Sequence, residues 1–208
     1  MVKKAFLGFL FIGAISMLVM SFHYFQAEDS GILGNKEVAS ENWYILSFRI
    51  HILFGLIAIA TGPVQFIKRV RTGYAKVHKR MGFIYFTSVV FSSLSGLIIS
   101  RFAMGGMITV TGFGTLSVLW FFITSKSVLT LVQGDFSGHK KWSFFGYSLT
   151  FSAITQRILL LVPLLTDVPF LPIYRLSAWL PWLVNLYIAN ALLRTSTKRN
   201  FGFPNNTR

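Results

Sequence analysis

The stretch Leu46-Ser-Phe-Arg-Ile-His-Ile-Leu-Phe-Gly-Leu-Ile-Ala-Ile-Ala-Thr-Gly-Pro-Val-Gln-Phe-Ile67 is apolar along most of its length, and its only ionisable residues are Arg49 and His51. A helix that crosses a hydrocarbon core of about 30 Å needs about 20 such residues, so this stretch is predicted to span a bilayer. Five other apolar runs have the same character. The sequence therefore predicts an all-α, polytopic integral membrane bundle of six transmembrane helices in one domain, at residues 5–25, 46–67, 81–100, 108–132, 142–165 and 176–193.

Composition supports the membrane class. Of the 208 residues, 53% are hydrophobic and only 12% are charged, whereas soluble domains carry about 25% charged residues. The net charge of +14 comes from loops between apolar runs and accompanies no recognised nucleic-acid motif, so we predict contact with a lipid bilayer and anionic lipid headgroups and no nucleic-acid partner. Cysteine is absent, which excludes disulfides, thiolate metal sites and c-type haem attachment.

The distribution of Lys and Arg predicts the orientation. Six of these residues lie between Lys68 and Arg80, whereas the loops that follow odd-numbered spans hold mostly Asp and Glu. With six spans, the positive-inside rule places both termini in the cytoplasm of a multi-pass plasma-membrane protein. The first run is long and ends in a poor cleavage site, so we expect a retained helix rather than a signal peptide. We expect residues 195–208 to form a disordered tail.

Three histidines and one arginine are the chief candidates for a functional site. His51, His78 and His139 each open an apolar run, Arg157 lies within another, and none of the predicted spans contains Asp or Glu. Ionisable side chains in hydrocarbon are costly and usually mark a functional site. We therefore look for function at these four positions.

His78 and His139 are both predicted at the cytoplasmic ends of odd-numbered spans, and hence at the same depth. One interpretation makes them tentative iron ligands of a b-type haem, which needs two histidines on facing helices. The other places them at the interface, in contact with lipid phosphate. The similar starts His78-Lys-Arg-Met81 and His139-Lys-Lys-Trp142 also suggest a parallel duplication of a two-helix unit.

His51 and Arg157 are predicted at similar depth in the outer leaflet, where Gln156 could join them in a polar site that binds an anion or a cofactor. The alternative is that Arg157 extends outward to water. His23 ends the first span and is predicted in the aromatic belt beside Tyr24. The sequence contains no metalloprotease motif, phosphate-binding loop, nucleophile elbow or carboxylate pair, so hydrolase and ATPase mechanisms lack their groups.

Three segments together resemble the predicted membrane family called domain of unknown function 2306. They are His51-Ile-Leu-Phe-Gly-Leu-Ile-Ala-Ile-Ala-Thr-Gly-Pro-Val-Gln65, His78-Lys-Arg-Met-Gly-Phe-Ile-Tyr85, and His139-Lys-Lys-Trp142 with Tyr147, Ser148, Thr150 and Arg157. The Tyr174-Arg175 pair with Trp179 continues the resemblance. Ser143 departs from the methionine expected after the tryptophan. The resemblance implies a compact bacterial membrane protein with no established activity. A looser likeness to b561-type cytochromes lies in the histidines on antiparallel helices.

Three functions fit these observations, and whether the protein is an enzyme stays open. In the first, the protein binds haem or takes part in redox chemistry, with His78 and His139 as ligands and with His51 and Arg157 in an outer cofactor-binding site. In the second, it is a non-enzymatic carrier for a small anion or a lipid headgroup. In the third, it assists the assembly of another membrane complex.

Overall fold

The structure is a computed structural model that describes residues 2–21 and 41–200. Within these residues the chain is helical, without strands, which confirms the all-α class. The helices are α1 (Val2–Ser21), α2 (Asn42–Gln65), α3 (Lys68–Gly73), α4 (Ala75–Ser100), α5 (Met107–Val132), α6 (Phe136–Leu159), α7 (Val162–Leu165), α8 (Phe170–Ser177) and α9 (Leu180–Asn200). The prediction for His23 lies outside the described residues.

Five stretches among the described residues are long and apolar enough to cross a membrane: Asn42–Gln65, Ala75–Ser100, Met107–Val132, Phe136–Leu165 and Phe170–Thr195. The membrane class and five of the predicted spans are therefore confirmed. α4 and α6 begin about one and a half turns before the predicted spans. Lys and Arg favour helix once the chain has left the hydrocarbon, and Asp135 caps α6 by accepting from the Gly138 N–H at 2.8 Å.

The last membrane-crossing stretch is broken into two helices, where the sequence predicts one. α8 ends at Ser177 and α9 starts at Leu180, because Pro181 in the first turn of α9 cannot donate a backbone hydrogen bond to a preceding turn. α9 then continues to Asn200, and the disordered tail at residues 195–208 stays a prediction. A helix leaving the membrane can continue because its backbone hydrogen bonds are internal. Residues 201–208 lie outside the described part of the chain.

Four helices form a closed ring. α2 packs on α4, α4 on α5, α5 on α6, and α6 returns to α2. α9 packs against α6 from outside the ring, and α1 lies against α2 and α6. Neighbouring helices of the ring run antiparallel. We call the end where α2 begins and α4 finishes the cavity end, and the opposite end, next to α3, the basic end.

Aromatic side chains close the ring between its middle and the basic end. The aromatic barrier consists of Phe66, Tyr85, Trp120 and Tyr147; the last three are buried, and the Tyr147 ring lies 5.4 Å from that of Phe66 and 6.3 Å from that of Tyr85. At Gly62 a Cβ atom would overlap the Tyr147 ring. Glycine at this position therefore lets α2 and α6 approach closely enough for the barrier to form.

Candidate functional site

A cavity of about 370 Å³ lies within the cavity end of the ring. Most of its wall is apolar, and its volume is within the range of small-molecule sites. Polar side chains interrupt the wall at several points. They come from α1, α2, α4, α5, α6 and α8 and comprise Ser21, Tyr44, His51, Ser92, Ser100, Ser117, Thr150, Gln156, Arg157 and Tyr174.

His51 is held against α4 by a two-way contact with Ser92. The His51 Nδ1 atom lies 2.8 Å from the Ser92 carbonyl oxygen, and the Ser92 hydroxyl donates to the His51 carbonyl at 2.9 Å. A carbonyl can only accept, so Nδ1 carries the ring proton and Nε2 keeps its lone pair in the neutral ring. Gly96 makes room, since a Cβ atom there would lie 2.9 Å from Nδ1. We call this contact the His51–Ser92 clamp.

Arg157 and Gln156 lie on the opposite wall, on α6. Both are half-buried and line the cavity. The Arg157 guanidinium donates to the Ala153 carbonyl at 3.2 Å, and it is close enough to His51 for their charges to interact. The structure thus brings together the three residues of the predicted outer polar site, because α2 and α6 are antiparallel neighbours in the ring.

The floor of the cavity is a buried hydrogen-bonded group centred on Thr150. Its hydroxyl donates to the Gly146 carbonyl at 3.1 Å and so accepts from two other side chains. These are the Trp120 indole N–H at 3.0 Å and the Tyr85 hydroxyl at 2.7 Å. The floor ties α4, α5 and α6 together and joins the cavity to the aromatic barrier beneath it.

The rim of the cavity lies at the junction between α8 and α9. The sequence did not single out this junction as part of a site. Tyr174 is buried and lines the cavity. Arg175 donates to the Gly105 carbonyl at 3.0 Å, and the Trp179 indole donates to the Ile108 carbonyl at 2.9 Å. These bonds attach the rim to the start of α5. The available signal was the Tyr174-Arg175 pair with Trp179, which forms part of the family resemblance.

His139 lies at the basic end in a second clamp. Its Nδ1 atom is 2.8 Å from the Ser127 carbonyl oxygen, and the Ser127 hydroxyl is 3.4 Å from the His139 carbonyl. The Ser143 hydroxyl lies 2.6 Å from that of Ser127. By the same argument, Nδ1 carries the proton and Nε2 keeps its lone pair. Ser143, the departure from the family pattern, therefore completes this His139–Ser127 clamp.

His78 has a different partner. The Gln65 amide is oriented so that both its nitrogen and its oxygen form hydrogen bonds. The nitrogen donates to His78 Nδ1 at 2.9 Å, and the oxygen accepts from the Gly82 N–H at 3.0 Å. The neutral His78 ring then carries its proton on Nε2. Iron binds an unprotonated nitrogen, so ligation by His78 requires Gln65 to turn and give up its bond to Gly82.

His78 and His139, the predicted pair of iron ligands, lie on α4 and α6, which are diagonal across the ring. They are close enough for their charges to interact. In the described part of the chain, no group of three or more His, Cys, Asp or Glu residues could hold a metal ion. Haem ligation by these two histidines stays a prediction.

The fold and the cavity define a class: a multi-pass, all-helical integral membrane protein with a mostly apolar cavity that contains several polar side chains. The family model described as a predicted membrane protein (DUF2306) matches residues 48–193, and the chain belongs to that family. The resemblance of the histidine-containing segments is thus confirmed. Neither a curated protein nor a solved structure matches the chain.

Proposed function

We propose that the cavity binds a small amphipathic anion, a molecule with one negatively charged headgroup on an alkyl chain. The observation that carries this proposal is the composition of the cavity wall. An arginine, a histidine with a free Nε2 atom and a glutamine lie on a wall that is otherwise mostly apolar. A bare inorganic anion would leave most of that apolar surface unmatched, whereas an alkyl chain covers it.

The proposed contacts follow from the donor chemistry. The Arg157 guanidinium stays charged at any physiological pH and can donate two parallel hydrogen bonds to a phosphate or carboxylate. The Gln156 amide adds a neutral donor. Protonation of His51 at Nε2 would add a second positive charge without disturbing the clamp, because the Ser92 contact uses only Nδ1.

The same proposal includes an arrangement in the membrane. We place α1 as a sixth span, because its 20 residues are mostly apolar and it packs along α2 and α6. Both termini and the basic end then face the cytoplasm of a plasma membrane, with Lys68–Arg80 against anionic lipid headgroups. The cavity consequently faces outward, in the outer half of the bilayer.

The proposed ligand can be tested by fluorescence quenching, because Trp120 lines the cavity. We expect saturable quenching by an ω-brominated octyl phosphate in phosphatidylcholine nanodiscs, lost in Trp120→Phe. Arg157→Gln should weaken this binding about 10- to 100-fold, the worth of hydrogen bonds to a charged group. Arg101→Gln, an exposed arginine at the same end, is the matched control.

Two competition measurements distinguish a membrane lipid from a free alkyl anion as the ligand. Competition by dihexanoyl phosphatidate at lower concentrations than by octyl phosphate would identify a membrane lipid as the ligand, and the reverse order would identify a free alkyl anion. A brominated octyl trimethylammonium of the same length should not compete. Equal binding of the cation and the anion, or no effect of Arg157→Gln, would overturn the proposal.

A b-type haem at the basic end is the second function that a specific observation favours. In His139 the proton on Nδ1 leaves Nε2 unprotonated, which is the arrangement of metal-bound histidines. We expect a Soret band and sharp reduced bands from protein purified in mild detergent after expression with ample haem. The bands should be lost in His139→Ala and in His78→Ala. A blank spectrum from folded protein would exclude this function.

A further inference from the structure

The two clamps are the same device at opposite ends of the ring. In each, a histidine Nδ1 atom lies 2.8 Å from a serine carbonyl oxygen on the next helix. In each, the serine hydroxyl turns back toward the histidine's own carbonyl, at 2.9 Å for Ser92 and 3.4 Å for Ser127. α2 and α6 therefore contribute the histidines, while α4 and α5 contribute the serines.

The similarity of the two clamps extends along α4 and α5, the helices that contribute the serines. Tyr85 precedes Ser92 by seven residues, and Trp120 precedes Ser127 by seven. Both of these aromatic side chains donate to the same acceptor, the Thr150 hydroxyl. A spacing of seven returns a residue to nearly the same face of a helix, so α4 and α5 present equivalent faces to the centre of the ring.

The two helices that contribute the histidines, α2 and α6, also place equivalent positions next to the clamp serines. Four residues after His51, a Cβ atom at Gly55 would lie 3.3 Å from the clamp serine hydroxyl. Four residues after His139, the Ser143 hydroxyl lies 2.6 Å from its clamp serine. Equivalent positions therefore contact equivalent serines, on helices that run in opposite directions.

An arginine follows each histidine by eighteen residues: Arg157 after His139, and Arg69 after His51. Because of the opposite directions, each arginine lies at the end occupied by the other histidine. Arg157 shares the cavity with His51. Arg69 follows α2 in α3, at the basic end, where His139 begins α6. Each end of the ring thus includes one histidine and one arginine of this matched spacing, contributed by different halves.

These correspondences describe two halves of inverted topology, α2 with α4 and α6 with α5. A twofold axis in the membrane plane exchanges them, and residues next to such an axis meet their own equivalents. Ile59 and Tyr147 each lie eight residues after the clamp histidine, and the Tyr147 hydroxyl donates to the Ile59 carbonyl at 3.5 Å. The contacts pair His139 with His51, whereas the parallel duplication suggested by the sequence pairs it with His78.

The two ends nevertheless differ in packing. The His51 end contains the cavity, while at the His139 end the aromatic rings of Phe66, Phe144 and Tyr147 pack together with centroids 5.4 and 5.9 Å apart. In a protein of two inverted halves, exchanging their conformations closes one end and opens the other without new architecture. The open end seen here is then one of two equivalent states.

We propose that the protein is an alternating-access carrier that moves the amphipathic anion across the membrane, with a second site at the basic end formed by His139 and Arg69. This inference rests on the proposed ligand. It adds transport, a second binding site and a second conformation to the binding cavity. Loading occurs at His51 and Arg157, and release occurs at their counterparts after the aromatic barrier has separated.

Transport can be measured by counterflow of radiolabelled octyl phosphate in proteoliposomes. We expect protein-dependent flux that Arg69→Gln reduces by at least about tenfold, the effect of losing a charged hydrogen-bond donor. Binding of the brominated probe at the cavity should stay within about twofold of wild type in this variant, because Arg69 is remote from the cavity. Arg80→Gln, another exposed cation at the basic end, should leave flux unchanged.

The second conformation can be observed directly because the natural chain has no cysteine. Ser117 lines the cavity and lies three residues before Trp120 and ten before Ser127. Its equivalent at the basic end is Gly82, which lies three residues before Tyr85 and ten before Ser92. At Gly82 an added Cβ atom meets nothing closer than 3.4 Å, so Gly82→Cys should fold. We expect octyl phosphate to change the labelling rates of Ser117→Cys and Gly82→Cys in opposite directions when an impermeant thiol reagent is applied from each side.

The outcomes separate the two proposals. Saturable binding without protein-dependent counterflow, or equal flux in Arg69→Gln and Arg80→Gln, would overturn the carrier while leaving the binding site intact. Labelling rates that move together would overturn the exchange of conformations. Absence of binding would remove the proposed ligand, and the carrier with it.

Discussion

The two ends of the helix ring contain the same clamp in different surroundings. Around His51 the neighbouring positions are small, with Gly96 beside the imidazole and Gly55 beside the Ser92 hydroxyl, and a cavity remains. Around His139 the position equivalent to Gly55 is Ser143, and the next residue, Phe144, packs on Phe66. The histidine and its serine partner therefore do not create the site. The volume of the adjacent side chains decides which end is open.

The largest expected effect comes from disturbing the barrier between the two ends. In Gly62→Ala the added Cβ atom overlaps the buried Tyr147 ring, and overpacking of this kind typically costs about 1–3 kcal/mol. Because the overlap with the ring is severe, the cost should reach the upper end of that range, about 3 kcal/mol, and we expect the apparent Tm of the purified protein to fall by about 6–12 °C.

Gly55→Ala is the matched control for that change, since its new Cβ atom lies beside the cavity, 3.3 Å from the Ser92 hydroxyl. It should shift Tm by less than about 2 °C, because alanine also favours the helix. Equal shifts for the two variants would show that the two ends are packed alike.

An intermediate effect is expected at the floor of the cavity. Thr150→Val preserves the shape of the side chain but removes the acceptor shared by Tyr85 and Trp120. Leaving buried donors unpaired costs about 1–3 kcal/mol, so Tm should fall by about 3–8 °C. Thr111→Val is the control, because Thr111 is exposed and bonds to carbonyls of its own helix. Equal behaviour of the two variants would contradict the shared acceptor.

The smallest effect tests whether the clamps are equivalent. Ser92→Ala and Ser127→Ala each remove a hydroxyl from an interhelical contact, and such bonds in membrane proteins are worth about 0.6 kcal/mol on average and at most about 1.7. The two variants should cost the same to within about 0.5 kcal/mol in a reversible unfolding assay in mixed micelles.

Ser95→Ala provides the baseline for the clamp measurements, since its hydroxyl bonds only to carbonyls of α4. It should unfold as the parent does. A cost confined to one of the two clamp serines would argue against matching halves.

Much of the fold could be predicted because hydrophobic runs of membrane length admit few structures. Helix ends were predicted less well: α4 and α6 continue past the hydrocarbon into basic sequence, and Pro181 divides the last stretch. Asn185 joins α9 to α6, since its amide donates to the Ser148 carbonyl and the Thr155 hydroxyl at 3.2 and 3.1 Å.

The candidate site was predicted in part. His51, Gln156 and Arg157 could be placed at one depth by counting residues along antiparallel helices. Ser117 could not, because serine occurs throughout the apolar runs and nothing in its spacing marks a cavity wall. Tyr174 and Thr150 were indicated only by the family resemblance, which does not place them on a cavity wall. The roles of all these residues in binding are predictions that the proposed experiments address.

The sequence by itself determined that this is a multi-pass helical membrane protein with ionisable groups at set depths, because hydropathy, length and charge act locally along the chain. Only the tertiary structure decided that His51 meets Ser92, that His139 meets Ser127, and that one end is open. Those outcomes depend on which faces of the helices meet and on how neighbouring side chains fill the space between them.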